Sequence, residues 1–447
     1  MMLANPRSRF LGLPIVVALA AFLSGIAIYV NIFAALAVVA AVAFMVLLAA
    51  PFAALPLIIA ASALDRFGPH WGDANVRLDL LAVLLVGAVL ANRVAVRTAA
   101  PNILQSRLLL PLVAYAGANV FSTLLFAEER VRGLKLDVEI VVAGLTYVLV
   151  GALLRTKRDL ERAVRALWVV TAGEAAIGLL LALAYLGHAT SYGVDNIATG
   201  LPAVYGTMWE PNVFGSFLLG NFFVLLADYI GHERRGRYTL ALVIILFGIA
   251  ASLTRTVWLA LALGSALFFL RSRKGRGPSS GATFLVFGAV MLALVGLVLG
   301  SATPLGARLL DIVNLHSSSA AGRIEWFKEA VSEWTHNPLF GLGTGSWNFG
   351  ATPGAAHPWL PSLFLLTLHD TGLVGLAALA WLLWRFFAAT IPATRGSNEL
   401  ALLTLGSIVA CVCLLLAFQT TTGFWFAYIW IVMAVGTAAA RLQRVEE

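Results

Sequence analysis

"ASLTRTVWLALAL", residues 250–262, carries one full charge, Arg255, between two threonines in an otherwise apolar run. On insertion scales an arginine at the centre of a bilayer costs roughly 2.5–3.5 kcal/mol, so a charge in such a run needs a reason. The surrounding chain sets the context. Of 447 residues, 60% are hydrophobic and 12% charged, against about 25% charged in ordinary soluble domains. A soluble fold cannot hide that much apolar surface, so the fold class is all-α, a polytopic transmembrane helical bundle. The first apolar run, from Phe10, has no small-residue cleavage site followed by a polar mature domain, so no secretory signal peptide is expected.

A spanning helix needs about 20 apolar residues, fewer where protein shields it. On that basis the candidate spans are 11–29, 32–50, 52–64, 78–92, 108–127, 138–154, 163–186, 211–230, 238–253, 256–270, 282–300, 361–384, 399–417 and 424–440. The run at 52–64 is short and 238–270 admits other divisions, so the count is 12–14. Residues 1–300 form a bundle of about eleven spans, 301–360 a large extracytoplasmic loop, and 361–447 the last spans of the same bundle. With both termini placed in the cytoplasm of a bacterial inner membrane, 21 of the 30 basic residues fall on the inner side, as the positive-inside rule requires.

The loop contains "GRIEWFKEAVSEW", residues 322–334, in which Ile324, Phe327, Val331 and Trp334 recur at helical spacing. Arg323, Glu325, Lys328, Glu329 and Glu333 fall largely on the other side. Such an amphipathic helix lies on the membrane surface or caps a cavity. The outer segment 187–210 is rich in glycine and polar residues and reads as an irregular loop. The glycine run "NPLFGLGTGSW", 337–347, lacks the Lys-Ser/Thr of a phosphate loop and reads as a tight turn.

Several residues are candidates for chemistry. Arg255 lies at the outer end of a span, where it either snorkels to the interface or faces an anionic headgroup. A planar five-donor fork suits pyrophosphate oxygens, and Thr254 and Thr256 would add hydroxyl donors. Arg323 opens the amphipathic helix, where the dipole favours an anion; otherwise it pairs with Glu325 or Glu329. Glu210, before Pro211-Asn212, either belongs to a helix cap or orients an arginine or a sugar hydroxyl. Asn212 either bonds a sugar or satisfies backbone. Among seven histidines, His357 is the best candidate for a general base on an acceptor hydroxyl. His369-Asp370 sits at a depth where charge is expensive, so the pair faces protein or a cavity. Cys411 and Cys413 lie two apart in an apolar run and read as core thiols. No zinc spacing, Walker, Rossmann or EF-hand motif occurs. Neither a metal, a cofactor nor a nucleic-acid partner is therefore expected.

Taken together, "YGTMWEPNVFGSFLL" (205–219), "LTRTVWLALALG" (253–264), "GRIEWFKEAVSEWTHNPLFGLGTGSWNF" (322–349) and "PSLFLLTLHDTGLVGL" (361–376) resemble, in order, segments of the O-antigen ligase and O-antigen polymerase family of membrane glycosyltransferases. The resemblance spans about 200–380. It implies metal-independent transfer of a glycan from an undecaprenyl- or other polyprenyl-pyrophosphate carrier to a glycan or lipid acceptor hydroxyl, at the outer face of the inner membrane, in cell-envelope polysaccharide biosynthesis. It implies that arginines hold the leaving pyrophosphate, with Arg255 matching directly, and that a histidine near the loop's end acts on the acceptor. Pro361, followed by Ser362, stands where the family has His-Asn or His-Ser, and His357 is the nearest histidine upstream. No arginine precedes the Pro-Asn segment in "LPAVYGT". The alternatives are a transporter or flippase of a lipid-linked sugar, or a non-catalytic partner in a polysaccharide assembly complex.

Overall fold

The computed structural model describes residues 41–48, 50, 53–67, 70–71, 74–75, 77–95, 108–196, 202–234, 236–272, 318–349, 360–396 and 398–446. The helices are α1 Ala54–Ala61, α2 Leu78–Ala95, α3 Leu109–Phe126, α4 Arg130–Leu153, α5 Lys157–Leu186, α6 Pro211–Gly231, α7 Arg237–Ala251, α8 Arg255–Ser272, α9 Ser318–Trp334, α10 Ser346–Phe349, α11 Leu363–Thr390, α12 Glu399–Ala417 and α13 Ala427–Glu446. Two short antiparallel hairpins, His70–Trp71 with Ala74–Asn75 and Val194–Asn196 with Pro202–Val204, a 3-10 helix Ile391–Arg395 and a helical stretch over 41–48 are also described. The second hairpin lies within 187–210, which is thus a paired hairpin and not wholly irregular.

Seven described helices are long and apolar enough to cross a membrane, and Leu78–Asn92 and Arg237–Ala251 are shorter apolar helices. The expected spans 11–29 and 282–300, and most of 32–50, lie outside the described residues. Each other expected span coincides with a helix. Their starts differ where charge flanks the apolar run. Helix α4 begins at Arg130, not near 138, and α5 at Lys157, not 163. In α5 the sequence supplies the reason: the Thr156 hydroxyl accepts from Asp159 N while Asp159 receives the Thr156 N–H, a capping box that starts the helix in its polar flank.

Helices α6 and α12 are buried along most of their length and pack on each other and on α13. Cys411 and Cys413 are fully buried here, as core thiols should be. One end of this bundle gathers basic turns. His232 reaches Asp228 at 3.0 Å and Glu399 at 2.7 Å, Arg234 pairs with Asp228 at 2.6 Å, Lys157 pairs with Glu399, and Arg441 donates to the Leu154 carbonyl. The opposite end carries Glu210, Arg255 and the start of α11.

Helix α11 is broken. Gly372 has φ 64° and ψ −162°, conformations outside the helical range, in the midst of an apolar span. A break there frees backbone groups that lipid cannot satisfy. The glycine run satisfies them. Leu342 N and Gly343 N donate to the carbonyls of His369 and Asp370 at 3.0 and 2.9 Å, while Leu373 N and Val374 N donate to Pro338 and Leu339 at 3.0 and 3.1 Å. Ser122 Oγ lies 2.6 Å from both the Phe340 and Asp370 carbonyls. A Cβ on Gly341 would collide with the Asp370–Thr371 peptide, and one on Gly372 with the Leu339–Phe340 peptide. The run 337–347 is therefore more than a returning turn: it is an inserted strip that replaces the missing helical bonds.

Gly372→Ala should accordingly destabilise the purified protein, by about 1–3 kcal/mol from backbone strain alone, read as a lowered melting temperature in detergent. Ala substituted at Gly117, in the interior of α3 where a Cβ meets nothing within 4 Å, should not lower that temperature.

Candidate functional site

Helix α9 lies over the start of α11. Its packed face holds Trp326, Phe327 and Ala330, which meet Trp347, Leu360, Leu366 and Trp425. Ile324 and Val331 are instead exposed, at 43% and 42%. The face that docks is thus turned from the one read as apolar, and it includes half-buried Arg323 and Glu333. Exposed Lys328 lies between Ile324 and Val331 on the outward side. Helix α9 also begins at Ser318, so Arg323 lies in its second turn and does not open it. Small Ser and Ala residues carry the helix those extra positions. The dipole, which acts over the first turn, therefore contributes less at Arg323 than the sequence suggested.

What acts on Arg323 is burial, then the Arg255 guanidinium; both hold its pKa below the usual arginine value, and Glu210 partly offsets them. Glu325 and Glu329, the expected partners, are exposed on the other side. Arg255, Arg323 and Glu210 come from three different elements and converge at the end of the bundle opposite Asp228 and Glu399. Arg255 is half-buried at the first position of α8. The preceding turn is tight, with Leu253 at φ 51°. Thr254 is buried and its hydroxyl bonds the Ser252 carbonyl at 3.2 Å, while Thr256 bonds Thr420 at 2.7 Å. Both threonine hydroxyls are thus engaged inside the protein. Glu210 Oε1 accepts from Thr421 Oγ1 at 2.6 Å. Asn212 sits half-buried in the first turn of α6, after Pro211.

His369 and Asp370 are buried at the break in α11. His369 Nδ1 meets Asp370 Oδ1 at 2.8 Å and Nε2 meets Glu333 Oε2 at 2.9 Å. A carboxylate offers no proton, so two such bonds require protons on both ring nitrogens or on one carboxyl. The Trp347 ring stands edge-on to the imidazole, with centroids 5.7 Å apart. Asp370 Oδ2 also accepts from Gly345 N at 2.8 Å. The group clamps α9 to α11. Glu333 lies ten positions beyond Arg323, about 15 Å along the helix. The clamp and the arginine pair therefore occupy different ends of α9. His357 lies outside the described residues.

Two features escaped the sequence reading. The turn "FQTTTGFWF", 418–426, holds Glu210 through Thr421, Thr256 through Thr420, and Ser362, whose hydroxyl donates to Gln419 Oε1 at 2.9 Å. Its run of threonines between two spans was the available signal. Arg77, 4% exposed, forks onto Asp79 at 2.6 and 3.1 Å, and also reaches Glu139 at 3.4 Å and the Trp425 carbonyl at 3.1 Å. Nearby Asp65 is 1% exposed, and burial, only partly offset by Arg77, pushes its carboxyl up to about 8. Among the described residues no group of three or more His, Cys, Asp or Glu side chains has the arrangement to hold a metal ion.

Residues 240–380 match a family model described as O-antigen ligase. It covers the segments around Arg255, α9, the glycine run and the broken helix; Glu210 and the threonine turn lie outside it. No curated protein matches the chain significantly.

Two outcomes follow from this geometry. His369→Phe removes both carboxylate contacts and should cost about 3–5 kcal/mol, the usual result of breaking a buried pair; faster hydrogen exchange over residues 323–334 reports it. For Asp65, the folded value exceeds the unfolded one, so the folded protein holds a proton that the unfolded chain releases above about pH 4. Stability from this group is full below that pH and is lost as pH rises through about 8. Asp65→Asn should abolish that decline, so its melting temperature gains more at pH 8 than at pH 5.

Proposed function

We propose that the chain transfers a glycan from a polyprenyl-pyrophosphate carrier to an acceptor hydroxyl at the outer face of the bacterial inner membrane, without a metal or nucleotide cofactor. The family match supports glycan transfer of the O-antigen ligase and polymerase kind. The observation that carries the finer reading is the convergence of Arg255 and Arg323. Burial and the neighbouring Arg255 guanidinium hold the pKa of half-buried Arg323 down, and Glu210 only partly offsets them. A diphosphate brings negative charge to this pair and matches the planar donor forks.

In the transfer, the acceptor oxygen attacks the anomeric carbon and the glycosidic C–O bond to phosphate breaks. The electron pair leaves on the pyrophosphate, where Arg255 and Arg323 stabilise it as charge develops. The acceptor proton passes to a base, for which His357 is the candidate. His369 and Asp370 act from behind the site, by holding α9 and hence Arg323 in place. Glu210 orients Arg323. Membrane lipid surrounds the bundle.

A transporter would also use a broken helix, and α11 is one. Transporters, however, leave unwound backbone open to ions or substrate, whereas the freed groups of α11 are bonded to residues 338–343. The clustering of basic turns around Asp228 and Glu399 supports a cytoplasmic placement of that end.

Reconstituted with a polyprenyl-pyrophosphate oligosaccharide and an acceptor, the protein should form new glycosidic bonds and release carrier, with EDTA having no effect. Arg255→Ala should lower turnover about 100-fold or more, and Arg255→Lys should recover only part of it. Unchanged turnover in both would refute the arginine role, and flux across the bilayer without new bonds would establish transport. For orientation, a cysteine at Glu128 should react with an impermeant maleimide in intact cells, and one at Arg158 only after lysis.

A further inference from the structure

Buried hydroxyls in this bundle commonly find a partner close by. Thr404 and Ser407 bond the carbonyls one turn back at 2.8 and 3.0 Å, and the Tyr147 and Tyr229 hydroxyls reach Thr437 and Thr239 at 3.3 and 2.9 Å. Ser216 on α6, Tyr428 on α13 and Asp65 after α1 depart from that pattern. Each is at most 1% exposed. Ser216 Oγ, Tyr428 Oη and both Asp65 carboxyl oxygens nonetheless have no hydrogen-bond partner among the described residues. The three groups are neighbours: Asp65 and Ser216 both act on the Tyr428 hydroxyl. The Ser216 hydroxyl near Tyr428, like the Arg66 N–H near Asp65, makes no bond of normal geometry to it. The Tyr428 ring is fixed by Phe217, edge-on at 5.8 Å, and by Phe426, stacked at 5.7 Å, so its hydroxyl cannot swing to another partner. Arg77 acts on Asp65 without bonding it, because its donors are engaged by Asp79, Glu139 and the Trp425 carbonyl.

We propose that Asp65, Ser216 and Tyr428 form a binding site for ordered water, which bridges the turn after α1 to α6 and α13. A buried polar oxygen left bare costs more than a made bond returns. Three such groups at one place call for a ligand that both donates and accepts. Water does so, and in a buried site it typically makes about three bonds. A cation fits less well. Burial pushes the Asp65 carboxyl up to about 8, with Arg77 only partly opposing it, so the group is neutral at pH 6. A neutral carboxyl has a proton to donate, and a metal ion cannot accept it. The Arg77 guanidinium also repels a second cation. The bridge ties α6, whose start carries Glu210, to two neighbouring elements, and it does not depend on the diphosphate reading.

The test is the melting temperature of the full-length protein in detergent at pH 6. Tyr428→Phe and Ser216→Ala each remove one hydroxyl, and each should lower that temperature by about 2–4 °C, the shift for one lost bond. The double variant should fall by less than the two single falls added, because both hydroxyls hold the same water. Bare hydroxyls predict the opposite sign: their removal relieves an unsatisfied group, so a rise in melting temperature would overturn the proposal. Strictly additive falls would do the same. Replacing sodium chloride by choline chloride at equal ionic strength should change nothing. A sodium-dependent gain that Asp65→Asn abolishes would assign the site to a cation instead. In an experimental map, solvent density should lie within about 3.2 Å of Ser216 Oγ, Tyr428 Oη and one Asp65 oxygen. A direct bond between Tyr428 and Ser216, with no solvent between the three groups, would contradict it.

Discussion

A backbone that leaves its helix inside a membrane has to find other hydrogen-bond partners, because lipid offers none. That constraint governs this fold. Gly372 breaks α11, and the amides and carbonyls thus freed are taken up by Pro338–Gly343. The inserted strip is the direct continuation of α9. Once it is seated, α9 has little freedom in where it lies, and the His369 clamp between Glu333 and Asp370 fixes its C-terminal half. The N-terminal half then carries Arg323 to Arg255 and Glu210. A local backbone defect, a docked amphipathic helix and a pair of arginines form one causal chain.

The charge distribution is consistent with that chain. At one end, basic side chains are balanced by Asp228 and Glu399 in direct ion pairs. Arg77, at the other, is balanced by Asp79 and Glu139. Arg323 lies in the field of the Arg255 cation as well as of Glu210, whose carboxylate accepts from a threonine hydroxyl.

Much of the fold was legible in the sequence because long apolar runs report spans directly. Helices α3 to α8, α11, α12 and α13 fall where hydropathy placed them, and their errors lie at the starts of α4 and α5, where charged residues continue a helix beyond the apolar band. Arg255 was legible as a lone charge in such a run, and Arg323 as part of an amphipathic helix. The docked face of α9 was not. Ile324 and Val331 look like core by hydropathy, but lipid and protein are both apolar surroundings, and periodicity does not tell them apart. The broken helix was hidden for another reason: "HDTGLVG" is unremarkable until the glycines of 341–345 are known to lie against it. The threonine turn was missed because single hydroxyls carry no periodic signal, and their meaning depends on Glu210 and Thr256, far away in sequence.

The account's central claim is most directly tested by an experimental structure of the full chain with a polyprenyl pyrophosphate bound. The diphosphate should lie within hydrogen-bond distance of both Arg255 and Arg323, with α9 still clamped at His369. A diphosphate seated elsewhere on the protein, with the two guanidinium groups turned to solvent or lipid, would contradict it.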